Sequence, residues 1–245
     1  MGIDWILHQT SHAGNVGSAA RAIKTMGFEH LVLVDPKNLD VVVADEAIAL
    51  ASGATDVLSN SQVLPDLSVA CAPYALVFGL TSRDREFGPP AIALKDACSL
   101  AKNALQVGKS CAFLFGTERT GLSNEDFNAC SHRVWIDANP SYPSLNLAQA
   151  VMVCAYEMRN TLSSEVITDS EQLALRASLG EINAMMDHLK EGLEAIDFLN
   201  PAHPKKLMDR LRALFDRAGL QEEEVLILRG VAKQMLLKKD KGFKL

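Results

Sequence analysis

Short, continuous apolar runs separated by polar, glycine-bearing loops dominate the first 136 residues. Residues 3–8, 31–34, 74–80, 111–115 and 133–136 have the length and the branched or aromatic content of buried strands, with 57–58 as a further small one. Between them lie segments of helical period: 16–26, ended by Gly27; 45–51, closed by Gly53; 61–70; 91–107, opened by Pro89 and Pro90; and 124–130. Strands that alternate with helices at this spacing predict an α/β domain built on a mainly parallel sheet.

The stretch 139–157 is unusual. It begins as a loop stiffened by Pro140 and Pro143 and rich in polar groups: Asn139, Ser141, Tyr142 and Ser144. From Leu145 it turns apolar on nearly every side, and only Asn146, Gln149, Glu157 and Asn160 form a polar stripe. A surface helix needs a wider polar face, so this one is expected to be buried on most sides. The loop suits a pre-formed ligand pocket or a structural joint, and its residues alone leave both open.

Beyond residue 160 no strand pattern recurs. Residues 162–170 read as a polar linker and 170–193 as an amphipathic helix with Ser170 as candidate cap. A helix follows from Pro204 to Ala218, ended by Gly219, and a last helix opens on Glu222, Glu223 and Glu224. The expected organisation is an α/β domain over 1–163 and a small all-helical extension over 164–245.

Composition narrows the classes. At 48% hydrophobic and 22% charged residues, the 245-residue chain is globular. It has no apolar run of membrane-spanning length and no basic flank of a secretory leader. Five cysteines without a CxxC pair, and six scattered histidines, argue for reduced thiols, a cytoplasmic protein and no metal. The net charge of −6 argues against unspecific coating of nucleic acid. The charge is uneven, however: Arg229, Lys233, Lys238, Lys239, Lys241 and Lys244 face a single Asp240. That tail is either a solvated helix end or a phosphate-contacting surface.

Candidate chemistry sits in three loops that follow apolar strands, where open α/β sheets usually bind ligands. In the first, Gly14 and Gly17 permit close backbone approach, and Asn15, Ser18 and Arg21 share adjoining parts of one helix face. It lacks the third glycine of a dinucleotide fingerprint and the Lys-Ser/Thr of a phosphate-binding P-loop, which weighs against a dinucleotide-binding oxidoreductase. In the second, Gly116 and Gly121 bracket Glu118 and Arg119, with Glu118 placed to orient Arg21 or to contact a ligand and Ser123 to cap the next turn. The third is 139–146.

Together these loops read HxGNxGSxARAxKxMG, FGxERxGLSNE and NPxYxSLNLAxAVxVxxYE. In order and spacing they resemble the three motifs of the SPOUT-class RNA ribose 2′-O-methyltransferases; the likeness is strong over 1–160 and weaker beyond. The resemblance implies an α/β fold with a deep C-terminal trefoil knot, S-adenosyl-L-methionine as methyl donor, and a homodimer. It places the cofactor against Thr81, Ser82, Arg83, Gly116, Ile136, Pro143, Ser144 and Leu145. It implies catalysis by Arg21 with Asn15, Glu118, Ser144 and Asn146, Arg21 reaching the cofactor of the other chain, and helix 145–156 at the dimer seam. The helical extension points to a branch acting on tRNA, at cytidine or uridine 32 of the anticodon loop. Relatives that modify another tRNA position or ribosomal RNA, and a non-catalytic RNA-binding relative, are the alternatives. A 2′-hydroxyl target excludes DNA, and Arg21, Lys24, Arg83, Arg85, Arg119 and the tail lysines are the candidate RNA contacts.

Overall fold

A computed structural model describes residues 2–82, 88–164, 175–203 and 205–240, with 238–240 described by backbone only. The expectations for Arg83, Arg85, Ser170, Pro204, Lys241 and Lys244 fall outside the described residues.

Seven parallel strands form one sheet in the order β3-β2-β1-β6-β4-β7-β5. They are β1 (Ile3–His8), β2 (His30–Val34), β3 (Gln62–Leu64), β4 (Leu76–Leu80), β5 (Ala91–Ala93), β6 (Cys111–Phe115) and β7 (His132–Trp135). Trp5 sits opposite Leu31 on one side and Phe113 on the other, which makes β1 a central strand. β6 pairs with β1 and β4, whereas β7 lies beyond β4, so the chain leaving β6 must cross β4 to reach its place.

Both faces of the sheet are covered, and this is why the strands are continuously apolar rather than alternating. On one face Trp5, Leu33, Phe78 and Phe113 pack under α1 (Ala13–Thr25), α5 (Leu94–Gln106) and α6 (Leu147–Ser163). Trp5 stacks on Phe113 with ring centroids 5.1 Å apart. On the other face Ile6, Val77 and Leu114 pack with Leu122, Phe127 and the short helix α4 (Leu67–Cys71). Two more short helices, α2 (Asp45–Ala51) and α3 (Thr55–Ser59), lie beside α1.

Three local expectations need correction. Residues 57–58 are helical, in α3, and the edge strand is Gln62–Leu64, inside the segment expected to start a helix. Three residues are too few for a period, and pairing with β2 decides the outcome. Likewise Ala91–Ala93 is a strand before helix α5 begins at Leu94, because the Arg133 amide bonds to the Pro90 carbonyl and carries the β7 ladder on. The helix expected at 124–130 is a single 3₁₀ turn, Asp126–Ala129.

Helix α6 starts at Leu147, two residues after its apolar run begins: Asn146 is the N-cap, in a full capping box with Gln149. Leu147, Val151, Cys154, Ala155 and Met158 are buried, but Val153 is 36% and Tyr156 56% exposed. Burial on most sides therefore does not hold within one chain. At the far end the buried Lys102 ammonium donates to the Thr161 carbonyl at 3.0 Å and to that of Ser164, closing the helix on its negative end.

The extension consists of α7 (Leu179–Ala195), α8 (Leu207–Ala218) and α9 (Glu222–Asp240) around a core of their own. α7 is capped by Ser178 in a box with Glu181, so among the described residues this helix begins well after the expected position 170. It is anchored to the first domain: the Leu179 and Gly180 amides donate to the Tyr74 and Ala72 carbonyls, both at 3.1 Å. Arg212 of α8 donates to Asp216, to Asn183 of α7 and to the Asn128 carbonyl of the 3₁₀ turn.

Gly17 tests the packing of α1. A Cβ there would lie 2.1 Å from the Ala47 carbonyl oxygen of α2. Alanine gains about 1 kcal/mol of helix propensity, whereas displacing a packed backbone costs roughly 1–3 kcal/mol. Gly17→Ala is therefore expected to be destabilising overall, read as a lower midpoint in urea unfolding with an unchanged m-value.

Candidate functional site

At the C-terminal ends of β4, β6 and β7 three segments converge on one cleft: 80–82, 115–122, and Ile136 with 143–145. The cleft holds about 830 Å³ of empty space, part of it open to solvent. Thr81, Ser82, Gly116, Ile136, Pro143, Ser144 and Leu145 all line it, although the chain separates them by as many as 64 positions.

The floor of the cleft depends on two glycines. Residues 117–121 fold back on themselves, with the Gly121 amide donating to the Thr117 carbonyl at 3.0 Å. This brings the Gly121 backbone over Gly116, where a Cβ would meet the Gly121 carbonyl carbon at 2.2 Å. Gly121 itself has φ +68°, a conformation that other residues adopt only with strain. Backbone edges, rather than side chains, therefore face the cleft at this point.

Glu118 leaves the same turn and gathers the loop after β1. Its carboxylate accepts from the Thr10 hydroxyl at 2.7 Å, the Ser11 amide and hydroxyl, the His12 amide at 3.2 Å and the Asn15 Nδ2 at 3.3 Å. Burial pushes its pKa up, but the hydrogen bonds from Thr10, its own amide, Asn15 and His12 outweigh this and hold it at about 2. Because the carboxylate takes the Asn15 amide hydrogens, Asn15 Oδ1 is left to accept, and the Asn146 Nδ2 donates to it at 3.0 Å. Asn146 Oδ1 in turn accepts from the Ala148 and Gln149 amides at the start of α6. One relay thus joins all three sequence motifs.

Arg21 stands apart. It is exposed on α1, does not line the cleft and has no partner among the described residues; within one chain Glu118 makes its hydrogen bonds to the loop after β1 and to Asn15, not to Arg21. Ser144 and Arg119 are exposed at the cleft. Ser123 does cap the next turn, through a reciprocal pair with Asp126.

Sequence reasoning missed Thr10 and Ser11, whose only signal was a polar run after a strand, and gave no role to the amide of His12, which opens the first motif. It also missed His8, buried at the end of β1 with Nε2 3.3 Å from Asp126. Burial raises the Asp126 pKa, and the hydrogen bonds from His8 and Ser123 outweigh it to leave a net lowering. All five cysteines are buried thiols; burial pushes those of Cys71, Cys98 and Cys111 to about 12, which removes them as nucleophiles. Among the described residues no His/Cys/Asp/Glu cluster fits a metal, and no helix is long and apolar enough to cross a membrane.

Residues 3–156 match the SpoU rRNA Methylase family, and residues 180–243 match the C-terminal domain of the tRNA methyltransferase TrmJ. The chain is 40% identical over 231 residues to the tRNA (cytidine/uridine-2′-O-)-methyltransferase TrmJ of Klebsiella pneumoniae, covering 92% of this chain and 93% of that one. Among solved structures, TrmJ from Z. mobilis superposes with TM-score 0.80 at 29% identity, covering 95% of this chain and 98% of that one. A probable methyltransferase from Bordetella pertussis is 48% identical with TM-score 0.62, over 65% of this chain and 95% of its own.

Every hydrogen bond to the Glu118 side chain is donated to it, so Glu118→Gln sets an amide NH₂ against donors. The variant is expected to lose about 2 kcal/mol at pH 7. The carboxylate has its folded pKa depressed from 4.5 to about 2, so its contribution is fully present above 4.5 and is lost as pH falls towards 2. Urea unfolding of both proteins is expected to give a gap that is constant from pH 7 to 5 and narrows below pH 4.5.

Proposed function

The chain belongs to the SpoU rRNA methylase family, and from that premise we propose that it methylates the ribose 2′-hydroxyl of a cytidine or uridine in tRNA. The TrmJ-type C-terminal match and the 40%-identical relatives support tRNA over ribosomal RNA as substrate. The sequence resemblance adds the finer reading, position 32 of the anticodon loop. The deep trefoil knot is expected of this family.

The observation that carries the reading is the convergence of 80–82, 115–122, Ile136 and 143–145 on one cleft, tied by the Glu118–Asn15–Asn146 relay. The cleft fits S-adenosyl-L-methionine. Gly116 and Gly121 offer backbone edges to polar groups, Ile136 and Leu145 offer apolar wall, and Thr81, Ser82 and Ser144 offer hydroxyls. When bound, S-adenosyl-L-methionine supplies a methyl group on a sulfonium; the ribose oxygen loses its proton as it gains the methyl.

Three tasks remain for the protein's own residues. Asn15 and Asn146 hold the loop after β1 against α6, so that a ribose entering there meets a fixed wall. Ser144, exposed at the cleft, orients the hydroxyl. A guanidinium offers five donors and no acceptor, so Arg21 clamps the neighbouring phosphate and stabilises the developing alkoxide, while the proton passes to solvent. Because Arg21 does not reach the cleft of its own chain, it acts on that of a partner in a homodimer, whose seam includes the open Val153 and Tyr156 face of α6. The helical extension binds the body of the tRNA, with its basic residues offsetting an overall charge of −6.

Two measurements separate these roles. Arg21→Ala is expected to keep cofactor affinity within about threefold by calorimetry and to lower methyl transfer to tRNA by about 10²-fold or more; lost cofactor binding with normal turnover would refute the assignment. Removing residues 164–245 is expected to weaken tRNA binding by about tenfold or more, near 1.4 kcal/mol, with cofactor affinity retained. Mass spectrometry of nucleosides from tRNA and ribosomal RNA transcripts incubated with labelled cofactor identifies the methylated ribose.

A further inference from the structure

Helix α9 has two apolar faces. One, through Val225, Ala232 and Met235, packs against α7. The other is open. Leu226 and Ile227 are 65% and 66% exposed, Val231 and Leu237 are 44% and 43% exposed, and a Cβ at Gly230 would meet nothing within 4 Å. Ile227, Gly230, Gln234 and Leu237, flanked by Leu226 and Val231, have the three- and four-residue spacing of a two-heptad seam with one polar member, Gln234. A helix apolar on both sides is normally covered on both.

Charge selects what covers it. The helix opens on Glu222, Glu223 and Glu224, and its basic residues, Arg229, Lys233, Lys238 and Lys239, follow in its middle and last turns. An RNA backbone needs a basic seam, and none of Ile227, Gly230, Gln234 and Leu237 is basic. A parallel copy would set glutamates on glutamates and align the two helix dipoles. An antiparallel copy sets each acidic first turn beside the other's basic end and opposes the dipoles. The exposed apolar positions centre on residues 230–231, so the two-fold axis falls at Gly230, whose missing side chain lets the backbones approach.

We propose that α9 pairs antiparallel with α9 of a second copy of this chain. Two heptads bury less than the roughly 1,200 Å² of a stable interface. The pairing therefore supplements the α6 seam and rests on the homodimer reading above. It ties the two helical extensions to one another, so that a tRNA meets a joined pair of extensions.

Disulfide trapping tests this, because all five native thiols are buried and only an introduced cysteine can react. Under mild oxidation full-length Val231→Cys is expected to form a reducible covalent dimer, and Arg217→Cys, exposed on α8, to remain single. Mixing Glu223→Cys with Leu237→Cys is expected to yield the mixed disulfide in excess over either homodimer. Ile227→Lys in the Val231→Cys background is expected to abolish trapping while cofactor affinity stays unchanged. If sedimentation shows a dimer but Val231→Cys traps no better than Arg217→Cys, the α9 pairing is wrong and the homodimer stands. If homodimers of Glu223→Cys or Leu237→Cys dominate the mixture, the antiparallel arrangement is wrong. A monomer at micromolar concentration overturns both the pairing and the homodimer.

Discussion

One carboxylate holds the site together. Glu118 accepts hydrogen bonds from two backbone amides, two hydroxyls and one side-chain amide, all in the loop after β1 or the first turn of α1. Those donors come from a segment more than 100 positions away in the chain. Without an acceptor there, the amides of Ser11 and His12 would have to find water at the mouth of the cleft, and Asn15 would be free to turn. With it, Asn15 presents its oxygen to Asn146, and Asn146 in turn starts α6. A charged acceptor facing only donors is stronger than the neutral alternatives, and its depressed pKa is the electrostatic record of that strength.

The relay works because its anchors are rigid. β1 is gripped on both sides by parallel neighbours, and Trp5 is wedged among Phe28, Phe113 and Phe115. Glu118 leaves a turn made tight by Gly116 lying under Gly121. Just downstream, the turn 123–129 is gripped from two directions: His8 of β1 reaches Asp126, and Arg212 of α8 reaches the Asn128 carbonyl. The helical extension is thus fastened to the segment that follows the cleft-lining loop, as well as to Ala72 and Tyr74. A substrate held by the extension and a cofactor held by the cleft would therefore share one frame.

Two helices carry more apolar surface than one chain can cover. On α6 the surplus is Val153 and Tyr156; on α9 it is Leu226, Ile227, Val231 and Leu237. These are the faces that the proposed pairings of the two helices would cover. Both surpluses lie on long regular helices, where a symmetric partner can match spacing with spacing. Arg21, exposed and away from its own cleft, fits the same logic.

Much of this protein could be read from its sequence. The buried parallel sheet followed from unbroken apolar runs, and the helical tail from the loss of strand pattern after residue 160. The three polar loops, with Asn15, Gly116, Glu118, Ser144 and Asn146 among their residues, could be grouped as motifs from the sequence. Such features are local: they depend on period, length and residue type along the chain. The edge strands Gln62–Leu64 and Ala91–Ala93 were not legible, because three residues have no period and only a neighbour's ladder makes them strands. Nor was the role of Thr10, Ser11 and His12, since two hydroxyls and two amides in a loop look alike until an acceptor is placed against them. The sequence by itself determined the central strands, the long helices and most of the chemically special residues. Tertiary structure alone decided that Glu118 serves the loop after β1 rather than Arg21, because that choice is a matter of distance between segments the chain keeps far apart.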